Sequence, residues 1–168
     1  NTEEMSQKKN KKGSKRAYIR GAFISLLIVI TGVLLEWFSG GRGVSLPAFP
    51  MNLFTGLSFT FIIVFLHAYY RDHSVIRWLS RVPAAVSSII LFTLLTLLMG
   101  LTKQNNPEAP EILNLTGISH VRTSFVFLLS GLFLLTTLGL VILRRITPFT
   151  FKNAVFLLNH LGLWLIVF

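Results

Sequence analysis

Two histidines interrupt the apolar runs of this sequence. His67 stands in the segment FLHAYYRD, and His160 stands in NHLGLW. An ionisable side chain inside a membrane is costly, and its presence there is a reason to look for function. Neutral imidazole binds metals, hydrogen-bonds neighbouring helices and transfers protons. Three roles therefore stay open for both residues: structural hydrogen bonding, which we favour on the residues alone, haem ligation, and a proton or substrate pathway.

Four other polar residues lie close to these runs. Asn159, beside His160, is a candidate partner that orients the imidazole, or it hydrogen-bonds a neighbouring helix. His120 precedes the fourth apolar run; it could receive a ligand, but we favour a solvated residue at the interface. Glu36 is expected to extend its carboxylate to the interface beside Trp37. His73 is expected on the surface.

Enzyme chemistry finds little support in the sequence. There is no cysteine, which excludes disulfides, thiol catalysis and thiolate metal sites. The HExxH and GxSxG patterns, paired intramembrane carboxylates and a phosphate-binding glycine loop are also absent. We therefore assign no catalytic residue.

The elements that must position the histidines are helices that cross a membrane. Hydrophobic residues make up 52% of the 168 residues and charged residues only 13%. The hydrophobic residues fall in blocks of about 20 residues, the length that a membrane-spanning helix needs. The sequence predicts an all-α, polytopic bundle with four complete transmembrane helices and the start of a fifth. The predicted spans are 18–38, 51–70, 84–101, 124–143 and 154–168, and the fifth is expected to continue beyond Phe168.

Polar segments separate these spans. Residues 1–17 are predicted to form a disordered basic tail, and residues 18–168 form the bundle. The link RDHSVIRWLSR is predicted to be an amphipathic surface helix, followed by Pro83 in the first turn of the third span. In the fourth span, Gly131 and Gly139 are expected to allow close helix packing.

Lysine and arginine are distributed unequally between the two sides of the predicted bundle. Thirteen of the 16 lie in residues 1–20, the second loop and the fourth loop, and three lie in the other two loops. Cytoplasmic loops are enriched in these residues, so the N-terminus is predicted to be cytoplasmic. The net charge of +10 is thereby explained without nucleic acid, and the tail is expected to contact anionic lipid. His67 and His160 then lie about 6 and 12 Å inside the cytoplasmic boundary.

Three segments together resemble a known family. FPMN (49–52), RWLSRVPAAVSSI and FLLNHLGLWLIVF resemble the membrane portion of ResB (CcsB) proteins of System II cytochrome c biogenesis, in the form found in Bacteroidetes-like bacteria. The resemblance covers most of the chain after the basic tail. The large extracytoplasmic domain typical of ResB and the tryptophan-rich signature of its CcsA partner do not occur in these residues.

The resemblance implies a location, a cofactor and partners. It implies a multi-pass protein of the bacterial inner membrane that works with a CcsA-type protein and delivers haem to apocytochrome c. Family members use membrane histidines as haem ligands, which by position implies His67 and His160, with His120 a weaker candidate and Asn159 in support. The alternatives are a structural or assembly subunit without haem, and a small-molecule transporter.

Overall fold

The computed structural model describes residues 2–106, 108–146 and 150–168, with the side chains of residues 13–106, 108–146, 150, 151 and 153–168. Seven α-helices form in these residues, with 3₁₀ segments at Ile118–Thr123 and Phe151–Asn153. No strand occurs in the described ranges. The helices are α1 Thr2–Phe38, α2 Met51–Tyr70, α3 Ser74–Leu79, α4 Val82–Leu101, α5 Glu111–Leu115, α6 Phe125–Ile146 and α7 Ala154–Val167.

Four of these helices are long and apolar enough to cross a membrane. They are α1, from Gly13 to Phe38, together with α2, α4 and α6. The chain is therefore a multi-pass membrane protein, and the predicted all-α class is confirmed. The α2 bounds agree with the predicted span, the ends of α4 and α6 differ by up to three residues, and α1 begins well before the predicted start of its span. The fifth span is represented by the shorter apolar helix α7.

The basic N-terminal segment differs from its prediction. It was expected to be disordered, but α1 begins at Thr2 and continues without interruption into the membrane span. The physical reason lies in propagation. The span already supplies a helical nucleus, and the Glu, Met, Gln and Lys residues before it are good helix formers, so each added residue avoids the nucleation cost. Tertiary burial is not needed: Lys15 and Arg16 are both exposed.

Helix α6 is the centre of the bundle. In its most apolar stretch of 18 residues 56% are buried, against 6 to 22% in the other three spans. Helices α1, α2, α3, α4 and α7 all pack against it. Its neighbours turn much of their remaining apolar surface outward, as expected for helices that face lipid hydrocarbon.

Small and hydroxylated residues allow this close packing. Thr137 of α6 and Ser88 of α4 are fully buried and hydrogen-bond each other at 2.8 Å. A Cβ atom on Gly139 would lie 3.1 Å from Ile63 of α2 and 3.3 Å from Trp164 Nε1 of α7. The role predicted for Gly139 is therefore confirmed. Gly131 differs, because it faces Phe92 at an ordinary contact distance and borders a cavity.

The bundle has two distinct ends. We call the end that carries α3 and the α6 C-terminus the basic end, after Arg71, Arg77, Arg81, Arg144 and Arg145. We call the opposite end the long-loop end; it comprises residues 39–50 and the described residues from 102 to 124. The amphipathic link helix predicted from the sequence is α3, which buries Ile76 and Trp78 and leaves Val75 exposed at the basic end.

The distribution of basic residues predicts that the basic end faces the cytoplasm. Asp72 at the basic end and Glu108 at the long-loop end are both exposed. Each can carry a unique label because the chain contains no cysteine. In intact cells, a membrane-impermeant maleimide should modify Glu108→Cys, and it should modify Asp72→Cys only after permeabilisation. The reverse pattern would contradict the predicted orientation.

Candidate functional site

His160 is oriented by its own helix. Its Nδ1 lies 2.8 Å from the carbonyl oxygen of Phe156, one turn earlier on α7, and the two rings stack with centroids 3.7 Å apart. A carbonyl oxygen only accepts hydrogen bonds, so Nδ1 carries the proton. In neutral imidazole the Nε2 atom then keeps its lone pair, and it has no hydrogen-bond partner among the described residues. The Nε2 atom is therefore available as a hydrogen-bond acceptor or as a ligand.

The group that orients His160 is thus not the one predicted. Asn159 was one candidate to orient the imidazole, with a bond to a neighbouring helix as the alternative; its side chain is exposed, and the ring nitrogen is bonded to Phe156. The helical geometry explains the difference. A side chain contacts the carbonyl four residues earlier, while an adjacent residue points about 100° away around the helix.

His67 lies at the same level of the bundle as His160. Ile63 and Trp164 both approach Gly139 of α6, which places them at one height. His67 follows Ile63 by four residues on α2, and His160 precedes Trp164 by four residues on the antiparallel α7. Each imidazole is therefore displaced about 6 Å from Gly139 toward the basic end. Both helices pack on α6, but no hydrogen bond joins the two imidazoles.

Arginine side chains of the basic end lie near both histidines. Arg71 and Arg144 are close enough to His67 to act on it electrostatically. Near His160, the Arg145 guanidinium lies 4.9 Å from the centre of the Phe156 ring on which the imidazole stacks. The imidazoles of His67 and His160 are both half-buried. Within the described ranges, no three His, Asp or Glu side chains come together as a metal site.

His120 and Glu36 form a separate site at the long-loop end, about 28 Å along α6 from the histidine level. Glu36 is fully buried, so the prediction that its carboxylate reaches the interface is wrong. Its Oε1 accepts hydrogen bonds from the Gly43 N–H and from His120 Nε2, both at 2.8 Å. Its Oε2 accepts one from the Phe125 N–H, at 3.0 Å, at the start of α6. Three donors thus replace the solvent that the carboxylate lost.

His120 is also not the solvated residue that was favoured. Its side chain is only 12% exposed, and its Nδ1 lies 3.0 Å from Ser119 Oγ. The Ser119 hydroxyl has one proton, which it donates to Asn114 Oδ1. Nε2 donates to the carboxylate of Glu36, and Nδ1 pairs with the Ser119 hydroxyl. The imidazole and the carboxylate thereby form a buried pair.

Two glycines allow the chain to fold around this buried pair. Gly43 and Gly117 have φ angles of +68° and +76°, which side-chain-bearing residues rarely adopt. A Cβ atom on Gly43 would lie 2.8 Å from the Thr123 carbonyl oxygen and 3.0 Å from the His120 ring. The sequence offered one signal for this cluster, an acidic residue in an apolar run followed by a glycine-rich loop. His120, the partner of Glu36, lies 84 positions further along the chain, and no local sequence pattern indicates this contact.

Comparisons with known proteins give no further assignment: no family model, no curated protein and no solved structure matches the chain.

The buried pair makes Glu36→Gln a destabilising substitution. The amide nitrogen would face the N–H of Phe125 or Gly43, or His120 Nε2 would lose its carboxylate acceptor in a buried place. Removing one partner of a buried ion pair costs roughly 3–5 kcal/mol of the free energy of unfolding. Thermal or denaturant unfolding of the purified protein in detergent measures this loss.

The matched control is Glu111→Gln, at an exposed carboxylate of the same end. It should change the free energy of unfolding little, because surface substitutions usually stay within about 0.5 kcal/mol. Equal stability of the two variants would show that Glu36 does not hold this end of the bundle together.

Proposed function

We propose that this chain is the membrane subunit of a haem-delivering cytochrome c assembly complex in the bacterial inner membrane. The observation that carries the proposal is the geometry of His160, whose Nδ1 is fixed on a backbone carbonyl and whose Nε2 lone pair is free. The placement of His67 at the same height, and the resemblance of the segments FPMN, RWLSRVPAAVSSI and FLLNHLGLWLIVF to ResB proteins, support it.

The residues present fit an axial ligation of haem iron. Imidazole nitrogen is a common haem ligand, and an apolar environment is suited to the porphyrin. A hydrogen bond from the second ring nitrogen to a carbonyl fixes the tautomer and makes the ligand more basic. His160 would hold the iron through Nε2, and His67 is the second candidate. Haem, when bound, would be the group that is delivered to apocytochrome c, and this chain would supply its binding and orientation.

The partners and the orientation follow from the same proposal. The basic end would face the cytoplasm, where the exposed Lys15, Arg16 and Arg20 of α1 can contact anionic headgroups. The long-loop end would face outward, toward a CcsA-type protein and apocytochrome c. The covalent attachment would take place there with the partner, since this chain offers no thiol chemistry.

A structural subunit without haem is the second candidate. The contact that favours it is the stacking of His160 on Phe156, which a purely structural histidine would also make. A transporter is less favoured, because the four spanning helices are continuous, whereas transporter sites are often built from interrupted helices.

Haem content of histidine variants separates these candidates. The full-length protein is purified in detergent with its partner, and reduced-minus-oxidised absorption spectra are recorded. We expect a haem spectrum in the wild type, and a loss of most of the haem in His160→Ala and in His67→Ala. His73→Ala is the control, because it removes an imidazole in the exposed link at the basic end.

The form of the spectrum adds a readout that packing alone would not change. Replacement of one axial imidazole alters the iron ligand set, so haem that remains in His160→Ala should show a shifted Soret band. Haem absent from the wild type, or unchanged in amount and spectrum in both variants, would move the assignment to the structural subunit.

A further inference from the structure

A large cavity lies outside both histidine sites. It has a volume of about 650 Å³ and opens between the first loop, α2, α6 and α7. Its wall is mainly aromatic and aliphatic, including Leu46, Phe49, Phe59, Phe127, Leu135 and Phe168. None of the four histidines lines it. A void with such walls is not hydrated stably, so an apolar molecule is its natural occupant.

The depth of the cavity matches one leaflet of a bilayer. Along α6 its lining extends from Ser124, at the start of the helix, to Leu135. Eleven residues of helix correspond to about 16 Å, which is half of a hydrocarbon core of about 30 Å. The cavity therefore begins at the membrane boundary and ends near the midplane.

The mouth of the cavity is cationic. Arg122 lines it and is exposed, and its guanidinium makes no ion pair or hydrogen bond with any residue that the structure describes. Asn52 lines the same cavity; its Oδ1 accepts from the Leu53 N–H at 2.8 Å, which leaves the amide NH₂ free to donate. No carboxylate lines the cavity in the described ranges.

The first loop gives the cavity a wall that a bare helix surface lacks. Val44 N–H donates to the Thr123 carbonyl at 2.6 Å, which fixes the loop beside Arg122. Residues 44 to 49 then cover one side of the apolar space, with Val44, Leu46, Pro47 and Phe49 in contact with it. The site is thus built by the fold and is more than a groove between two helices.

We propose that this cavity binds an anionic phospholipid from the leaflet at the long-loop end. An acyl chain lies along α6 as far as Leu135, and the phosphate is held by Arg122 with the Asn52 amide as a second donor. The charge of the mouth, the apolar body and the depth of one leaflet together specify this class of ligand. The proposal is independent of the haem proposal, because His67 and His160 lie outside this cavity.

Lipid retention tests the proposal. The full-length protein is transferred to detergent, and bound lipid is measured by native mass spectrometry and by extraction after delipidation. Readdition of phosphatidylglycerol should give tighter binding than phosphatidylcholine. Arg122→Gln should weaken phosphatidylglycerol binding by about tenfold, since it removes a charge-assisted hydrogen bond. Arg42→Gln is the control, at an exposed arginine of the same end that does not line the cavity.

A second variant tests the apolar body of the site. A Cβ on Gly131 would contact only Phe92, at 3.7 Å, so Gly131→Leu can fold and fill the cavity. It should reduce retention of any phospholipid, while Gly162→Leu, with nothing within 4 Å, should not. Equal retention in wild type, Arg122→Gln and Gly131→Leu would overturn the proposal. The proposal would also be overturned if the wild-type protein held no phospholipid. It would equally be overturned if the two variants lost haem and kept their phospholipid.

Discussion

The long-loop end depends on one buried carboxylate. Glu36 has no access to solvent, so its charge must be balanced by groups that the fold brings to it. These groups come from the first loop, the 3₁₀ segment before α6 and the first turn of α6. A single side chain thereby determines where α1 ends relative to α6, and where the first loop lies. The wall and mouth of the apolar cavity follow from that placement, because Val44 and Arg122 belong to the segments that Glu36 holds.

The membrane-embedded part depends on a different constraint, the close approach of helices to α6. Lipid tails are as apolar as leucine, so helix association needs small contact residues and buried hydrogen bonds. Thr137 and Gly139 supply these about half a turn apart on α6, toward α4 on one side and toward α2 and α7 on another. The two histidines lie on helices that this packing fixes, and their common height follows from the shared contact with Gly139.

The sequence predicted what depends on local composition. Hydropathy located the spans, and the bounds of α2 were correct because loop residues with strong turn preferences flank it. The burial of Glu36 and His120 could not be predicted, because it depends on a contact between residues 84 positions apart. Asn159 was considered as the orienting partner because it is adjacent in sequence, but an adjacent residue on a helix points in another direction. The helical conformation of the basic N-terminal segment was not predicted, because composition alone does not show that the following span provides a helix that the segment can extend.

Trp164 has a consequence for how α7 can move. Its indole N–H donates to the Leu135 carbonyl at 3.0 Å, a contact that the missing side chain of Gly139 makes accessible. One residue of rotation about the α7 axis would turn every side chain by about 100° and break this bond. The indole therefore sets the azimuth of the whole helix, and with it the direction in which the His160 ring faces. A ligand change at His160 would have to come from side-chain rotation or from the joint motion of α6 and α7, and not from α7 turning on its own.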